Sequence, residues 1–243
     1  MISEKLIGVL ASSLAACMVT TLGIYMISRR AEWSRRNSRF FVSFAAGVLL
    51  TVSLVHLVPR SLDISGRSPL FLLIGFLSLY ILNHFISLFL CRKDEELLAR
   101  GLIPVVGITI HSLIDGVIFA VTFQVSIFTG ALAAIGMVLH EFPEGLITFV
   151  LLQRGGLKRR KAIWYAFLAA AFSTPLGALI AYPLIRTIRG ETLGILLSLS
   201  AGALIYVGAA HLLPEVEDQE SLSSLLTMLA GVGLGMIIIL LRG

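Results

Sequence analysis

Four side chains that can bind a metal ion occur as two pairs in adjacent hydrophobic stretches of the sequence. One pair is His111 and Asp115, and the other is His140 and Glu144. Because each pair is spaced by four residues, its side chains lie on one face of an α-helix, one turn apart. Two imidazoles and two carboxylates suit Zn²⁺, Fe²⁺, Mn²⁺, Co²⁺ or Cd²⁺, whereas Mg²⁺ and Ca²⁺ prefer oxygen ligands alone. The pairs predict a divalent-metal site between neighbouring helices.

The residues around these pairs offer the carboxylates no basic partner. No Lys or Arg occurs between Gly101 and Gln153. A charged side chain in the middle of a bilayer costs about 2.5–3.5 kcal/mol on insertion scales, so it needs a counter-charge or a water-filled path. We therefore expect a bound cation. A proton relay or internal hydrogen bonding is the alternative interpretation of the four residues.

The composition places these stretches in a membrane. Of the 243 residues, 57% are hydrophobic and 14% are charged, whereas soluble domains have roughly 45–50% apolar and ~25% charged residues. A net charge of +5 would suggest nucleic-acid binding in a soluble protein. Here the basic residues cluster between hydrophobic segments, so they indicate topology and contact with the lipid bilayer. We expect no nucleic-acid partner.

Eight segments are long enough to span a bilayer, which takes about 20 apolar residues. They are residues 6–28, 40–58, 69–91, 102–123, 126–152, 162–185, 192–213 and 222–241. Their connections are short, so residues 1–243 are predicted to form one transmembrane domain. The fold class is an all-α polytopic membrane protein with eight transmembrane helices.

The Lys and Arg residues predict how the chain crosses the membrane. Thirteen of the 19 lie in the odd-numbered connections, and six lie in the even-numbered connections and the termini. The positive-inside rule then puts both termini on the extracytoplasmic side of the plasma or inner membrane. The seventh connection is acidic between Glu215 and Glu220, but acidic residues count little in this rule.

An internal repeat relates the second and seventh segments. Three residue types recur at a constant offset of 155 positions, as Gly47 and Gly202, His56 and His211, and Pro59 and Pro214. The two segments run in opposite directions, so the pattern predicts an inverted repeat of segments 1–3 and 6–8 around segments 4 and 5. Inverted repeats are typical of secondary transporters, whose sites lie near the bilayer midplane.

With these motifs the chain resembles the ZIP (Zrt/Irt-like) family of divalent-metal transporters over nearly its whole length. The family pattern in segment four is His-Asn-x-x-(Asp/Glu)-Gly, and the pattern in segment five is (His/Gln)-(Asn/Asp/Glu)-x-Pro-x-Glu. The matching residues are His111, Asp115 and Gly116 in the first, and His140, Glu141, Pro143 and Glu144 in the second.

The resemblance implies what the chain does. It would carry a divalent transition metal, zinc first, into the cytoplasm by alternating access, with the metal as transported substrate and no organic cofactor. Segments 1, 4, 5 and 6 would move against a scaffold of segments 2, 3, 7 and 8. The scaffold would also form the interface of a homodimer. No enzymatic activity is expected.

Two departures from the family pattern affect the number of metal ions. Many relatives bind two adjacent ions, the second with the segment-four Asn and a segment-six Glu before Pro. Here these positions hold Ser112 and Thr174. We therefore expect one high-affinity site, with Glu141 as a weak assisting contact.

Two of the three remaining histidines have two interpretations each. By resemblance, His211 would receive the metal as it leaves, beside the acidic residues that follow it; alternatively, it is an interfacial histidine. Its repeat mate His56 would meet the metal as it arrives, or else has a packing role. His84 is expected to be a helix-contact residue.

Two other functions compete with transport. An intramembrane zinc-dependent hydrolase is suggested by His140-Glu141, which begins the motif His-Glu-x-x-His, although Glu144 stands at the second His position. A metal-sensing or structural membrane protein would bind the ion without moving it.

Overall fold

Long apolar segments form helices because a bilayer offers no water to the backbone, so every N–H and C=O must be paired within the segment. The computed structural model describes residues 4–85, 97–214 and 221–242. The eight helices are α1 (Glu4–Arg29), α2 (Ala31–Thr51, then Val52–Leu57 and Val58–Ile64), α3 (Ser68–Phe85), α4 (Leu97–Val125), α5 (Ile127–Arg154), α6 (Arg159–Ala166, Phe167–Ala171 and Ser173–Ile185), α7 (Gly190–Ile205 and Tyr206–Leu212) and α8 (Leu222–Arg242). All eight are long and apolar enough to cross a membrane, which confirms the predicted all-α, eight-helix fold.

The first polar connection differs from its expected form. Only Arg30 separates α1 from α2, so residues 31–39 are helical. That stretch contains neither Gly nor Pro, and nothing in it stops a helix. The end of the third predicted span, the start of the 92–101 connection and most of the 214–221 connection lie outside the described residues.

In the described part of the chain, three short π-helical segments interrupt the helices, and each lies just before a proline. Val52–Leu57 precedes Pro59, Phe167–Ala171 precedes Pro175, and Tyr206–Leu212 precedes Pro214. A proline has no N–H and clashes with the carbonyl four residues earlier, which lies inside the π-helical segment in all three cases. The wider π turn relieves that clash. At Pro143 no such segment occurs, and α5 stays α-helical.

The helices pack as two groups of four. The most extensive contacts in the first group join α1 with α5, and α4 with both α5 and α6. In the second group they join α2 with α8, and α3 with α7. Leu49 of α2 and Met137 of α5 are fully buried where the groups meet. These are the two sets of segments that the resemblance assigns to a moving part and a scaffold.

Glycines let the backbones touch at four crossings inside these groups. At each one, a Cβ on either glycine would overlap a carbonyl oxygen of the facing helix. The glycine and the residue with the facing carbonyl are Gly23 and Phe142, Gly145 and Thr20 (α1 with α5); Gly116 and Thr174, Gly177 and Leu113 (α4 with α6); Gly47 and Met228, Gly231 and Phe44 (α2 with α8); Gly75 and Leu199, Gly202 and Leu72 (α3 with α7). Close approach through small residues is the usual way for membrane helices to associate. Gly47 and Gly202, 155 positions apart, make corresponding contacts. This supports the inverted repeat, which stays a prediction.

Candidate metal site

The two predicted pairs of side chains meet between α4 and α5. His140 Nε2 lies 3.3 Å from Asp115 Oδ2 and 3.7 Å from Glu144 Oε2. His111 Nε2 lies 3.6 Å from the same Asp115 oxygen and 3.9 Å from the same Glu144 oxygen. One ligand atom of each residue lies within 4.8 Å of the other three. Ligands about 2.0–2.1 Å from a tetrahedral zinc ion are roughly 3.3 Å apart. These four residues, here called the metal group, therefore need only small movements to surround one ion.

The metal group is buried and short of hydrogen bonds. Asp115 and His140 are 1% and 3% exposed. Neither Asp115 Oδ2 nor the two ring nitrogens of His140 have a hydrogen-bond partner among the described residues. Leaving a buried polar atom unsatisfied costs about 1–3 kcal/mol, and more when it is charged. A cation among these atoms would remove that cost, so the unpaired atoms indicate a metal-binding arrangement.

Two of the glycine crossings position the metal group. Gly116 follows Asp115 and lets α4 approach α6, and Gly145 follows Glu144 and lets α5 approach α1. Both glycines therefore serve close helix approach beside the metal group. A crossing fixes the position of each helix along the axis of its neighbour. It therefore also fixes which side chains from α1 and α6 reach the metal group.

Ser112 orients one of the carboxylates. Its hydroxyl lies 2.6 Å from Glu144 Oε1 and donates a hydrogen bond to it. Glu144 Oε2 is the oxygen that faces the two histidines. Glu144 can thus offer one oxygen to an ion while the other is fixed by the protein, as outer hydrogen bonds commonly fix metal ligands.

Glu141 is not brought into the metal group. Its Oε2 accepts a hydrogen bond of 2.5 Å from Thr20 of α1, and its Oε1 accepts one of 3.0 Å from Thr174 of α6. The residue is 1% exposed. Both oxygens therefore serve to connect three helices beside the metal group, and the predicted assisting contact to the metal has no support in this geometry.

Among the described side chains, no other histidine joins the metal group. His56 Nε2 lies 3.1 Å from Thr129 Oγ1, and its ring meets Phe128 edge-on near the start of α5. That contact agrees with the packing role, and the role of His56 in metal arrival stays a prediction. The backbone of His211 lies in the π-helical end of α7, but its side chain and residues 215–220 are outside the described part. His84 is exposed and stacks on Tyr80.

Sequence reasoning missed Thr20 and the hydrogen-bonding roles of Ser112 and Thr174. From the sequence alone, the last two indicate only positions where a ligand is lost. Thr20 carries one signal in the sequence, because it is a polar residue in the middle of an apolar segment, three residues before Gly23. The register between α1 and α5 was needed to connect it with Glu141.

Comparison with known proteins identifies the family. The sequence model described as "ZIP Zinc transporter" matches residues 91–240. Zinc transporter ZIP13 of Pongo abelii is 26% identical over 263 residues, which cover 94% of this chain and 78% of that protein. Zinc transporter ZupT of Clostridium perfringens (strain 13 / Type A) is 34% identical over 116 residues, which cover 35% of this chain and 40% of that protein. Together with the eight membrane-spanning helices, these matches show that the chain belongs to the ZIP zinc transporter family, a family of transporters rather than enzymes.

Proposed function

We propose that this protein carries divalent transition-metal ions, zinc foremost, into the cytoplasm through the metal group. The observation that carries the proposal is the convergence of two histidines and two carboxylates within 4.8 Å, in a stretch of sequence without Lys or Arg. Iron, cadmium, manganese and cobalt have ligand preferences that the same four side chains also meet. The hydrolase alternative is not retained, because the family consists of transporters.

The metal group suits an ion that must be released again. Its ligand atoms are nitrogen and oxygen, without a thiolate that would form a closed structural zinc site. His111 is the most accessible member, with 21% of its side chain exposed. It would be the first ligand to exchange with water. Release on the opposite side requires alternating access, in which α1, α4, α5 and α6 move against α2, α3, α7 and α8. The packing of the helices as two groups supports that division.

The site is proposed to hold one ion. The position beside the metal group that a second ion would need contains Glu141, whose oxygens both accept hydrogen bonds from threonines. Ser112 donates to Glu144 Oε1, which would otherwise be free to bridge to a second ion. We expect one tightly bound zinc ion per chain, and two would contradict the proposal.

The proposed orientation of the chain rests on its distribution of Lys and Arg residues, and the proposed assembly rests on its family. Both termini are placed outside the plasma or inner membrane, because most Lys and Arg residues lie in the odd-numbered connections. Metal would then enter at the end of the bundle where α1 begins. A homodimer through the scaffold helices is part of this proposal.

Zinc flux into sealed vesicles tests the proposal. Purified protein is reconstituted with a fluorescent zinc reporter inside the vesicles. The His140→Ala variant is expected to reduce the initial rate at least about tenfold, because it removes a buried ligand. The matched control is His84→Ala, which removes an exposed histidine of α3. Equal rates for wild type and His140→Ala would overturn the site assignment.

A protein that only senses or stores metal would behave differently in the same vesicles. It would bind zinc, and the His140→Ala variant would lose binding, but neither protein would raise the reporter signal above empty vesicles. Absence of flux for zinc, cadmium and iron alike would therefore overturn transport while leaving the metal group in place.

A further inference from the structure

A cavity of about 600 Å³ lies at the end of the bundle where α1 begins. It is formed by the first residues of α1, the junction of α4 and α5, and the end of α6 with the connection that follows. Its charged lining consists of Lys5, Arg186, Arg189 and Glu4. Three cations against one carboxylate make this a basic cavity, within the ~300–1,000 Å³ range of ligand pockets.

The wall of the basic cavity is fixed by hydrogen bonds between separate parts of the chain. Gln124 is 3% exposed, and its side-chain amide donates to the carbonyls of Arg186 and Ile188. Lys5 Nζ donates to the Gln124 carbonyl at 2.6 Å. The start of α1, the end of α4 and the end of α6 are therefore connected through one buried glutamine.

The cations of the basic cavity keep donors that these bonds do not use. Among the described residues, Lys5 uses one of its three N–H groups. Within the same part of the chain, Arg189 uses only Nη1, which donates to the carbonyls of Arg186 and Ile188 at 2.6 and 2.8 Å. Its Nε and Nη2 groups remain. The backbone contacts hold both side chains in place before any ligand arrives.

The carboxylate of Glu4 lines the same cavity. Even so, across residues 4–85, 97–214 and 221–242, no ion pair within 4.0 Å involves Lys5, Arg186 or Arg189. Arg67, in the connection between α2 and α3, differs because it pairs with Glu191 at 3.3 Å. Positive groups gathered on a concave surface attract an anion, as an unpaired set of carboxylates attracts a metal.

We propose that the basic cavity binds a phosphate group, supplied either by free phosphate or by the headgroup of a phospholipid. Guanidinium groups bind phosphate oxygens through paired, charge-assisted hydrogen bonds, and an ammonium group adds a further charge. The site is separate from the metal group. Gln124 lies nine residues beyond Asp115 on α4, which is about 14 Å along the helix. Binding there does not depend on metal transport.

The test measures binding to metal-free protein, so that it is independent of the metal group. Purified protein in a zwitterionic detergent is titrated with inorganic phosphate, with chloride at equal ionic strength as reference, and thermal unfolding is recorded. We expect phosphate to raise the Tm by about 2–4 °C at saturation, because a ligand of the folded state stabilises it. The variant Lys5→Gln with Arg189→Gln should lose this rise. Arg67→Gln, which removes a paired arginine outside the basic cavity, should keep it.

A second arm separates the two sources of phosphate. The same proteins are placed in nanodiscs of an uncharged glycolipid, which carries no phosphate, alone or with phosphatidylglycerol. A Tm rise with phosphatidylglycerol that the double variant loses, without a response to free phosphate, assigns the cavity to a lipid headgroup. Arg186→Gln serves if the double variant does not fold, because Arg186 contributes its carbonyl, not its side chain, to the hydrogen bonds. No response to either ligand in the wild type, or an equal response in the variants, overturns the proposal.

Discussion

Glu144 in the metal group and Glu141 beside it both accept hydrogen bonds from hydroxyl groups of the protein. Ser112 donates to one oxygen of Glu144, and Thr20 and Thr174 donate to the two oxygens of Glu141. One oxygen of Glu144 still faces the histidines, whereas both oxygens of Glu141 accept a hydrogen bond. The same residue type thus has two roles, a ligand in one position and a connection between helices in the other.

The threonines that contact Glu141 should matter for stability more than for metal affinity. Valine has the shape of threonine without the donor, so Thr20→Val or Thr174→Val leaves a buried carboxylate oxygen without its hydrogen bond. That loss costs about 1–3 kcal/mol for each substitution. We expect a lower Tm for both variants, with zinc affinity changed less than about threefold.

The control for these variants is Thr122→Val. Thr122 is also fully buried, but it donates only to carbonyls of its own helix, α4. Its substitution should change the Tm little. A large fall in zinc affinity with an unchanged Tm in Thr20→Val would instead mean that Glu141 acts as a metal ligand.

The helices depend on the glycine crossings to bring the four ligands together. At Gly116 a Cβ would overlap the Thr174 carbonyl and the Ala178 amide of α6. These are backbone atoms, so they cannot move aside as the end of a side chain can. Gly116→Ala should separate α4 from α6, at a cost of about 1–3 kcal/mol for overpacking. The shift would move His111 and Asp115 away from α5, and we expect zinc uptake to fall about tenfold.

A glycine of α8 provides the matched control for this prediction. Gly233 has no atom within 4 Å of a Cβ built on it, so Gly233→Ala should leave Tm and uptake close to wild type. Both variants are compared in the vesicle assay and by thermal unfolding. If Gly116→Ala behaves like Gly233→Ala, the close crossing of α4 and α6 is not needed for the metal group.

At the level of helices, the sequence predicts the features that depend on the length of an apolar segment and on the spacing of residues along a helix. Eight apolar segments gave eight helices, and the spacing of four residues in each His–carboxylate pair gave the faces that meet between α4 and α5. The contact of Thr20 with Glu141 was not predictable, because it depends on the height at which α1 crosses α5. The π-helical segments before Pro59, Pro175 and Pro214 were also missed, since a proline alone does not indicate how a helix adapts to it.

Across the whole molecule, the second group of helices contains two crossings that make corresponding contacts. The crossing of α2 with α8 uses Gly47 and Gly231, and the crossing of α3 with α7 uses Gly202 and Gly75. Under the predicted repeat, α2 corresponds to α7 and α8 to α3, so each crossing is the counterpart of the other. The metal group lies on α4 and α5, between the two repeats in the sequence, where both could act on it.

The orientation of the molecule decides the direction of transport and can be measured directly. Cysteine is introduced at Gly66, in the connection between α2 and α3, or at Gln153, near the end of α5, in a background with Cys17→Ala and Cys91→Ala. Both sites accept a new side chain, because Gly66 has open space around it and Gln153 is exposed. The positive-inside rule puts Gly66 outside and Gln153 in the cytoplasm. A membrane-impermeant maleimide should therefore label Gly66→Cys in intact cells and Gln153→Cys only after permeabilisation. The reverse pattern would invert the topology and would place the end of the bundle where α1 begins in the cytoplasm.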